Sequence, residues 1–219
     1  MKYKCLVLDH DDTVVNSTAT IHYPSFIEYL RDYRPELVKN YTLESFFVKN
    51  FDPGIVSLLA DEVGLNEKEM KEEEEYWVRF VRGHIPTAFP GISEIIERFK
   101  AEGGLVAVNS HSFKEYILRD YAHNDLPDPD VIYSWDLPKE QRKPSPYTLF
   151  DLMKRFDLKK EEILVVDDLK PGYDMAKGAE VPFAAAGWAY EIPEIEDFMR
   201  HNCDFYLKTV SDLKKLLFD

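Results

Sequence analysis

The chain has 219 residues, 45% of them hydrophobic, and sets 27 Lys and Arg against 41 Asp and Glu, a formal net charge of −14. That length suits one large domain or two modest ones, at about 100–200 residues per domain, and it can bury a core without covalent staples. The negative balance excludes nucleic acid as a default partner, because displacing counterions from phosphates needs Lys and Arg, and it argues equally against an anionic membrane surface.

Two cysteines, Cys5 and Cys203, are too few for a disulfide scaffold and read as buried thiols. The opening Met1-Lys2-Tyr3-Lys4 is not followed by an apolar stretch of the roughly 7–15 residues a signal peptide needs. No run approaches the roughly 20 apolar residues of a membrane span. The expectation is a soluble, cytoplasmic protein.

The first element is a short apolar strand, Lys4 to Leu8, ending in the acidic loop Asp9-His10-Asp11-Asp12-Thr13. Helical spacing follows. Ile21, Phe26, Ile27 and Leu30 mark one helix; Leu43, Phe46 and Phe47 a second; Ile55, Val56, Leu58 and Leu59 a third. A fourth runs from about Glu67 to Val81, its Glu72–Glu75 run reading as a solvated face. Pro35, Asp52-Pro53-Gly54 and Gly64 separate these helices. From Phe89 onward strands and helices alternate. Strands are expected at Leu105–Val108, Val131–Tyr133, Ile163–Val166, Pro182–Ala185 and Phe205–Leu207. Helices are expected at Ser93–Phe99, Phe113–Tyr121, Tyr147–Phe156, Tyr173–Ala179 and Val210–Leu217. Such alternation predicts an α/β, Rossmann-like parallel sheet with helices on both faces. The core domain is then residues 1–15 and 88–219, with a helical insert of 72 residues, 16–87, after the first strand.

Ligands of open α/β sheets bind at the carboxyl ends of the strands. Those ends carry Asp9, Asp11, Asp12 and Thr13; then Asn109, Ser110 and Ser112; then Asp167 and Asp168. Lys143 precedes Pro144 in the loop ahead of a helix. Carboxylates gathered this closely raise one another's pKa unless a cation intervenes, and an all-oxygen donor set favours Mg²⁺. A carboxylate beside Mg²⁺ and Lys is also a nucleophile suited to phosphorus.

The pattern resembles the haloacid dehalogenase-like hydrolase superfamily through four motifs in order. They are Asp9-His10-Asp11-Asp12-Thr13-Val14, then Val106-Ala107-Val108-Asn109-Ser110, then Arg142-Lys143-Pro144-Ser145-Pro146, and finally Asp167-Asp168-Leu169-Lys170-Pro171-Gly172 with the following Tyr173–Ala176. An insert between the first two motifs is similar to the helical cap of the phosphoglycolate-phosphatase and β-phosphoglucomutase branch. Only 32 residues, 111–142, separate Ser110 from Lys143, too few for a large cap there.

The resemblance implies a Mg²⁺-dependent phosphatase of a small phosphorylated metabolite. Asp9 is the implied nucleophile and Asp11 the implied general acid/base. Lys143 pairs with Asp9 and the phosphate. Ser110, with Asn109, Lys143 and Thr13, forms the phosphate-binding set; Asp9, Asp11, Asp168 and Asp167 form the metal set. A β-phosphoglucomutase-type phosphotransferase shares every one of these residues, and a catalytically weak binding or regulatory protein of the same fold stays open because Asp12 stands where the family has Gly. A dehalogenase is disfavoured because those relatives lack the carboxylate that Asp11 supplies. A receiver-like signalling module has the motifs in another order. The position of His10 often carries an aromatic in the family, and a packing role is expected for it. Oligomeric state is not legible.

Overall fold

Short apolar runs that alternate with amphipathic helices pair here as one six-stranded parallel sheet. In the computed structural model, which describes residues 2–219, β1 (Cys5–Leu8), β4 (Leu105–Asn109), β5 (Val131–Tyr133), β6 (Ile163–Asp167), β7 (Phe183–Ala186) and β8 (Phe205–Leu207) lie in the order β5-β4-β1-β6-β7-β8. Every neighbouring pair is parallel. The chain winds outward from β1 through β4 to β5, then returns to β6 on β1's other side. The order therefore reverses at β1, and a crevice opens at the carboxyl ends of β4, β1 and β6. β1 and β6 are buried throughout and β4 over its last four residues, as strands covered on both faces must be.

Helices α5 (Ile92–Ala101), α6 (Lys114–His123), α7 (Tyr147–Phe156), α8 (Lys170–Gly178), α9 (Pro193–Asn202) and α10 (Val210–Phe218) connect and follow these strands. α5 shows why they fold onto the sheet. Ile92, Ile95, Ile96 and Phe99 fall at helical spacing on one stripe, and all four are buried. Each contributes about 1.5–3 kcal/mol by leaving water. Thr209 caps α10 by accepting from Asp212 N–H, while the Asp212 carboxylate accepts from Thr209 N–H.

The chain divides into two compact units, residues 1–16 with 87–219, and residues 17–86. The two strands β2 (Val15–Asn16) and β3 (Thr87–Ala88) pair antiparallel where the chain leaves and re-enters the larger unit. At two residues each, they carry no readable alternation. The smaller unit is helical: α1 (Tyr23–Tyr33), α2 (Leu43–Phe51), α3 (Ile55–Ser57) and α4 (Glu67–Arg82). Its core gathers Phe26, Leu30, Phe46 and Leu58 with Tyr29 and Tyr41. Asn66 caps α4 in a reciprocal pair with Glu69. Glu72, Glu74 and Glu75 are exposed as expected, but Glu73 is half-buried, and burial, then Glu74, pushes it up to about 7.

Besides β2 and β3, three elements differ most from the sequence expectation. α9 was not anticipated, because only Ile195 and Met199 of its ten residues are buried and the rest reads as a polar linker. α8 begins at Lys170 rather than Tyr173, since Pro171 occupies its first turn, where a missing N–H costs nothing. A 3-10 turn, Pro35–Asn40, occupies what the sequence marks only as a break. Among the described residues no helix is long and apolar enough to cross a membrane.

Candidate active site

The register sets the site. Leu8 is level with Val108 and Val166, so the next residues out, Asp9, Asn109 and Asp167, emerge side by side. Asp9 N–H donates to Val166 O at 2.9 Å and Ser110 N–H to Tyr133 O at 2.9 Å, extending the ladder one step past the strands.

Lys143 is the hub. Its Nζ donates to Asp9 Oδ1 at 2.8 Å and to Asp167 Oδ2 at 2.7 Å, and all three side chains are at most 5% exposed. Burial alone would lower the Lys143 ammonium, but Asp167 and Asp9 hold it above its ordinary value. Burial pushes Asp9 up to about 7 against the pull of Lys143, with Asp167 and Asp11 pushing the same way as burial. Asp168 is raised well above the usual carboxylate range by burial, then by Asp12, Asp167 and Asp9.

Asp167 Oδ1 accepts from Leu169 N–H at 2.9 Å. Gly172 makes this placement possible: a Cβ there would sit 2.1 Å from Asp167 Oδ2.

Oxygens of Asp9, Asp167 and Asp168 lie within 4.8 Å of one another. Asp168 Oδ1 is buried and has no hydrogen-bond partner among the described residues. A buried carboxylate with an unpartnered oxygen, beside two further carboxylates, is a hard oxygen donor set that a divalent cation such as Mg²⁺ would suit, so these residues fit the metal. Asp168 is supported from behind by the Tyr190 hydroxyl, 2.9 Å from its carbonyl and 3.3 Å from its Oδ2.

Asp11 faces the second loop. Its Oδ2 lies 2.6 Å from Ser112 Oγ and 3.4 Å from Ser110 Oγ. Ser112 N–H donates to Ser110 Oγ at 3.0 Å. Between them, His111 Nε2 donates to the Lys143 carbonyl at 3.0 Å, and burial, then Lys143, pushes this imidazole down to about 4, leaving it neutral. His111 also meets the Trp135 ring edge-on, and Arg142 stacks 4.0 Å over that indole.

The first loop closes tightly. The His10 carbonyl accepts from both Val14 and Val15 N–H at 3.0 Å, and Asp12 N–H donates to Val15 O. Asp12 takes φ +56°, the left-handed conformation the family's Gly would supply; Asp tolerates it better than most residues. His10 turns into the core: Nε2 lies 3.1 Å from Asp120 Oδ2, the ring stacks on Tyr121, and Arg119 holds the other Asp120 oxygen.

Of the residues singled out from sequence, Asp9, Lys143, Asp167 and Asp168 meet in one cluster, with Asp11 and Ser110 adjoining it. Asn109 does not join them with its side chain, whose amide donates to Thr148 Oγ1 at 2.6 Å and contacts Met175 Sδ at 3.0 Å, committed to the space between α7 and α8. Thr13 is fully buried; its carbonyl accepts from Trp188 Nε1 and its hydroxyl has no partner among the described residues. It shapes the loop from within.

Residues 6–186 match the family model of haloacid dehalogenase-like hydrolases. The chain belongs to this family. Solved structures of the same fold include a provisionally assigned haloacid dehalogenase-like hydrolase of Bacteroides fragilis, 19% identical at a TM-score of 0.79 over 97% of this chain and 100% of the other. A predicted phosphoglycolate phosphatase of Haemophilus somnus is 22% identical, at 0.71 over 99% of both chains. A provisionally assigned β-phosphoglucomutase of Thermotoga maritima is 18% identical, at 0.67 over 98% of both. No curated protein sequence matches the chain. As a member of this hydrolase family it brings to its site His111, Tyr190 and Gly172, to which the sequence assigns no definite role, and Ser112, which the sequence marks only as lying at a strand end. Ser112 and His111 sit in the loop already marked by Ser110. Gly172 lies in the fourth motif, but its steric role needs the position of Asp167. Tyr190, far along the chain from Asp168, carries no sequence signal.

Proposed function

We propose that this hydrolase is a Mg²⁺-dependent phosphatase of a small phosphorylated substrate, working through a phosphoryl group carried on Asp9. One observation carries the reading: a buried ammonium bridges two carboxylates at the ends of β1 and β6, while a third carboxylate beside them keeps one oxygen unpartnered. Asp9, Asp168 and the Asp11 backbone carbonyl would hold Mg²⁺, with Asp167 alongside, and the bound ion supplies positive charge opposite the phosphoryl oxygens.

Asp9 is the attacking group. Lys143 engages its Oδ1, which orients the carboxylate and offers a fixed positive charge to the phosphoryl oxygens. The Ser110 hydroxyl would donate to a remaining phosphoryl oxygen. Asp11 gives its proton to the departing oxygen, then takes one from the water that releases phosphate from Asp9. The likeness to phosphatase structures supports this reading, as does the resemblance of the four motifs. The acidic whole is no obstacle, because the local balance at the site is set by Lys143 and the cation.

The test is turnover of p-nitrophenyl phosphate and a panel of sugar and short-acid phosphates with Mg²⁺, wild type against Asp9→Asn, scored by phosphate release and by sugar-phosphate rearrangement. The reading expects Asp9-dependent phosphate release that chelation abolishes. Rearrangement without release identifies a phosphotransferase instead. No turnover of any phosphoester, or equal turnover by Asp9→Asn, overturns it.

A further inference from the structure

Asp11 must carry a proton to one oxygen and later take one from another, so its carboxyl cannot rotate freely. Ser112 restrains it. The Ser112 hydroxyl lies 2.6 Å from Asp11 Oδ2, within the short range of O–H···O⁻ bonds. Whether ionised or protonated on Oδ1, the Asp11 carboxyl accepts at Oδ2, so the Ser112 hydroxyl proton is spent on it. The backbone of Ser112 is fixed on both sides: its N–H donates to Ser110 Oγ and its carbonyl accepts from Trp135 N–H at 2.9 Å. Ser112 is 5% exposed, so water competes poorly for the bond. The contact to Ser110, at 3.4 Å, is by comparison weak.

We propose that Ser112 is the positioning residue of the proton-transfer steps: by holding Asp11 Oδ2 it turns Oδ1 toward the leaving-group oxygen. This rests on the phosphatase reading above. In the first half-reaction an Asp9 oxygen bonds to phosphorus, the bond from phosphorus to the leaving oxygen breaks, and the Asp11 proton moves to that oxygen. In the second, water bonds to phosphorus and gives a proton to Asp11. The bond from phosphorus to Asp9 then breaks, restoring both carboxyl groups. Ser112 touches neither phosphorus nor leaving group and acts only through Asp11.

The leaving group separates this role from a merely structural one. A nitrophenolate departs as a stable anion and needs no proton; an alkoxide does. The quantity kcat/KM reports events through the first irreversible step, formation of phospho-Asp9. Wild type, Ser112→Ala, Ser112→Thr and Asp11→Asn are compared with Mg²⁺ on p-nitrophenyl phosphate and on the alkyl phosphate that wild type hydrolyses fastest. General acid catalysis contributes about 10²–10⁴-fold, so Ser112→Ala should lower kcat/KM on the alkyl substrate about 10–100-fold more than on the aryl one. Ser112→Thr, which keeps the hydroxyl, should keep the wild-type ratio. The ratio cancels any change in folded fraction, because both substrates see the same sample. An equal fall on both substrates, or no fall on either, overturns the role of Ser112 while leaving the phosphatase reading intact. Absence of Asp9-dependent phosphate release from wild type overturns both.

Discussion

Replacing Lys143 with Met removes the one ammonium from a cluster that is almost wholly buried. Two contacts vanish, at 2.8 Å to Asp9 and 2.7 Å to Asp167, leaving carboxylates within 4.8 Å of one another. Removing one partner of a buried ion pair costs about 3–5 kcal/mol, because the remaining charge stays buried. Here two charges stay. Asp9 already titrates high, so part of the penalty is relieved by proton uptake. The metal-free variant should therefore lose about 3–5 kcal/mol at pH 8, which at about 2–4 °C per kcal/mol for a chain of this size lowers the unfolding midpoint by about 6–20 °C. Acidification should shrink the deficit as protons replace the missing ammonium, and Mg²⁺ should shrink it by binding the freed oxygens. Urea unfolding of wild type and variant at pH 8 and pH 6, in chelator and in excess Mg²⁺, measures all of this. The Trp188 indole, bonded to the Thr13 carbonyl in the loop after β1, reports on the larger unit. An unchanged metal-free midpoint at pH 8 would refute the claim that Lys143 neutralises this cluster. A deficit that grows on acidification would refute the electrostatic cause.

Three further outcomes follow from the same contacts. Wild-type protein without metal should gain stability as pH falls from 8 toward 6.5. Asp9 and Asp168 have raised pKa values in the fold, so the native state binds more protons than the unfolded chain, and their stabilisation is lost as pH rises through the folded values. Below 6.5 His111, held down to about 4, opposes this, and Mg²⁺ should flatten the upper window; a metal-free stability that rises with pH between 6.5 and 8 contradicts the assignment. Gly172→Ala should weaken Mg²⁺ binding by calorimetry and destabilise by about 1–3 kcal/mol, because its Cβ displaces Asp167, even though Ala favours a helix by about 1 kcal/mol. Equal Mg²⁺ affinity would show that Asp167 can move without consequence. His10→Leu should cost about 1–3 kcal/mol by leaving Asp120 Oδ2 buried without its imidazole, and a neutral result in thermal unfolding would show that Arg119 alone satisfies Asp120.

The grouping of the candidate side chains was legible where it follows strand ends. Asp9, Ser110, Lys143 and Asp167-Asp168 each adjoin an apolar run or a Pro-framed loop, and parallel pairing brings those ends together whatever the intervening sequence. Side-chain direction was less legible. Asn109 and Ser110 are neighbours of equal polarity, yet one donates to Thr148 and the other adjoins Asp11. Residues that act from behind were hidden for the same reason: Tyr190 and Asp120 reach Asp168 and His10 through tertiary contacts between segments far apart in the chain. α9 was missed because half of a helix's face on the rim of a sheet can be polar without losing its anchor, here Ile195 and Met199.

The central claim is that Asp9 carries the phosphoryl group. Wild type is mixed with substrate and Mg²⁺, quenched in acid within the first turnovers, and digested for mass spectrometry. The account predicts a phosphoryl increment on the peptide holding Asp9, lost on treatment with hydroxylamine and absent from Asp9→Asn. Turnover with no label on that peptide, or an undiminished rate in Asp9→Asn, would contradict it.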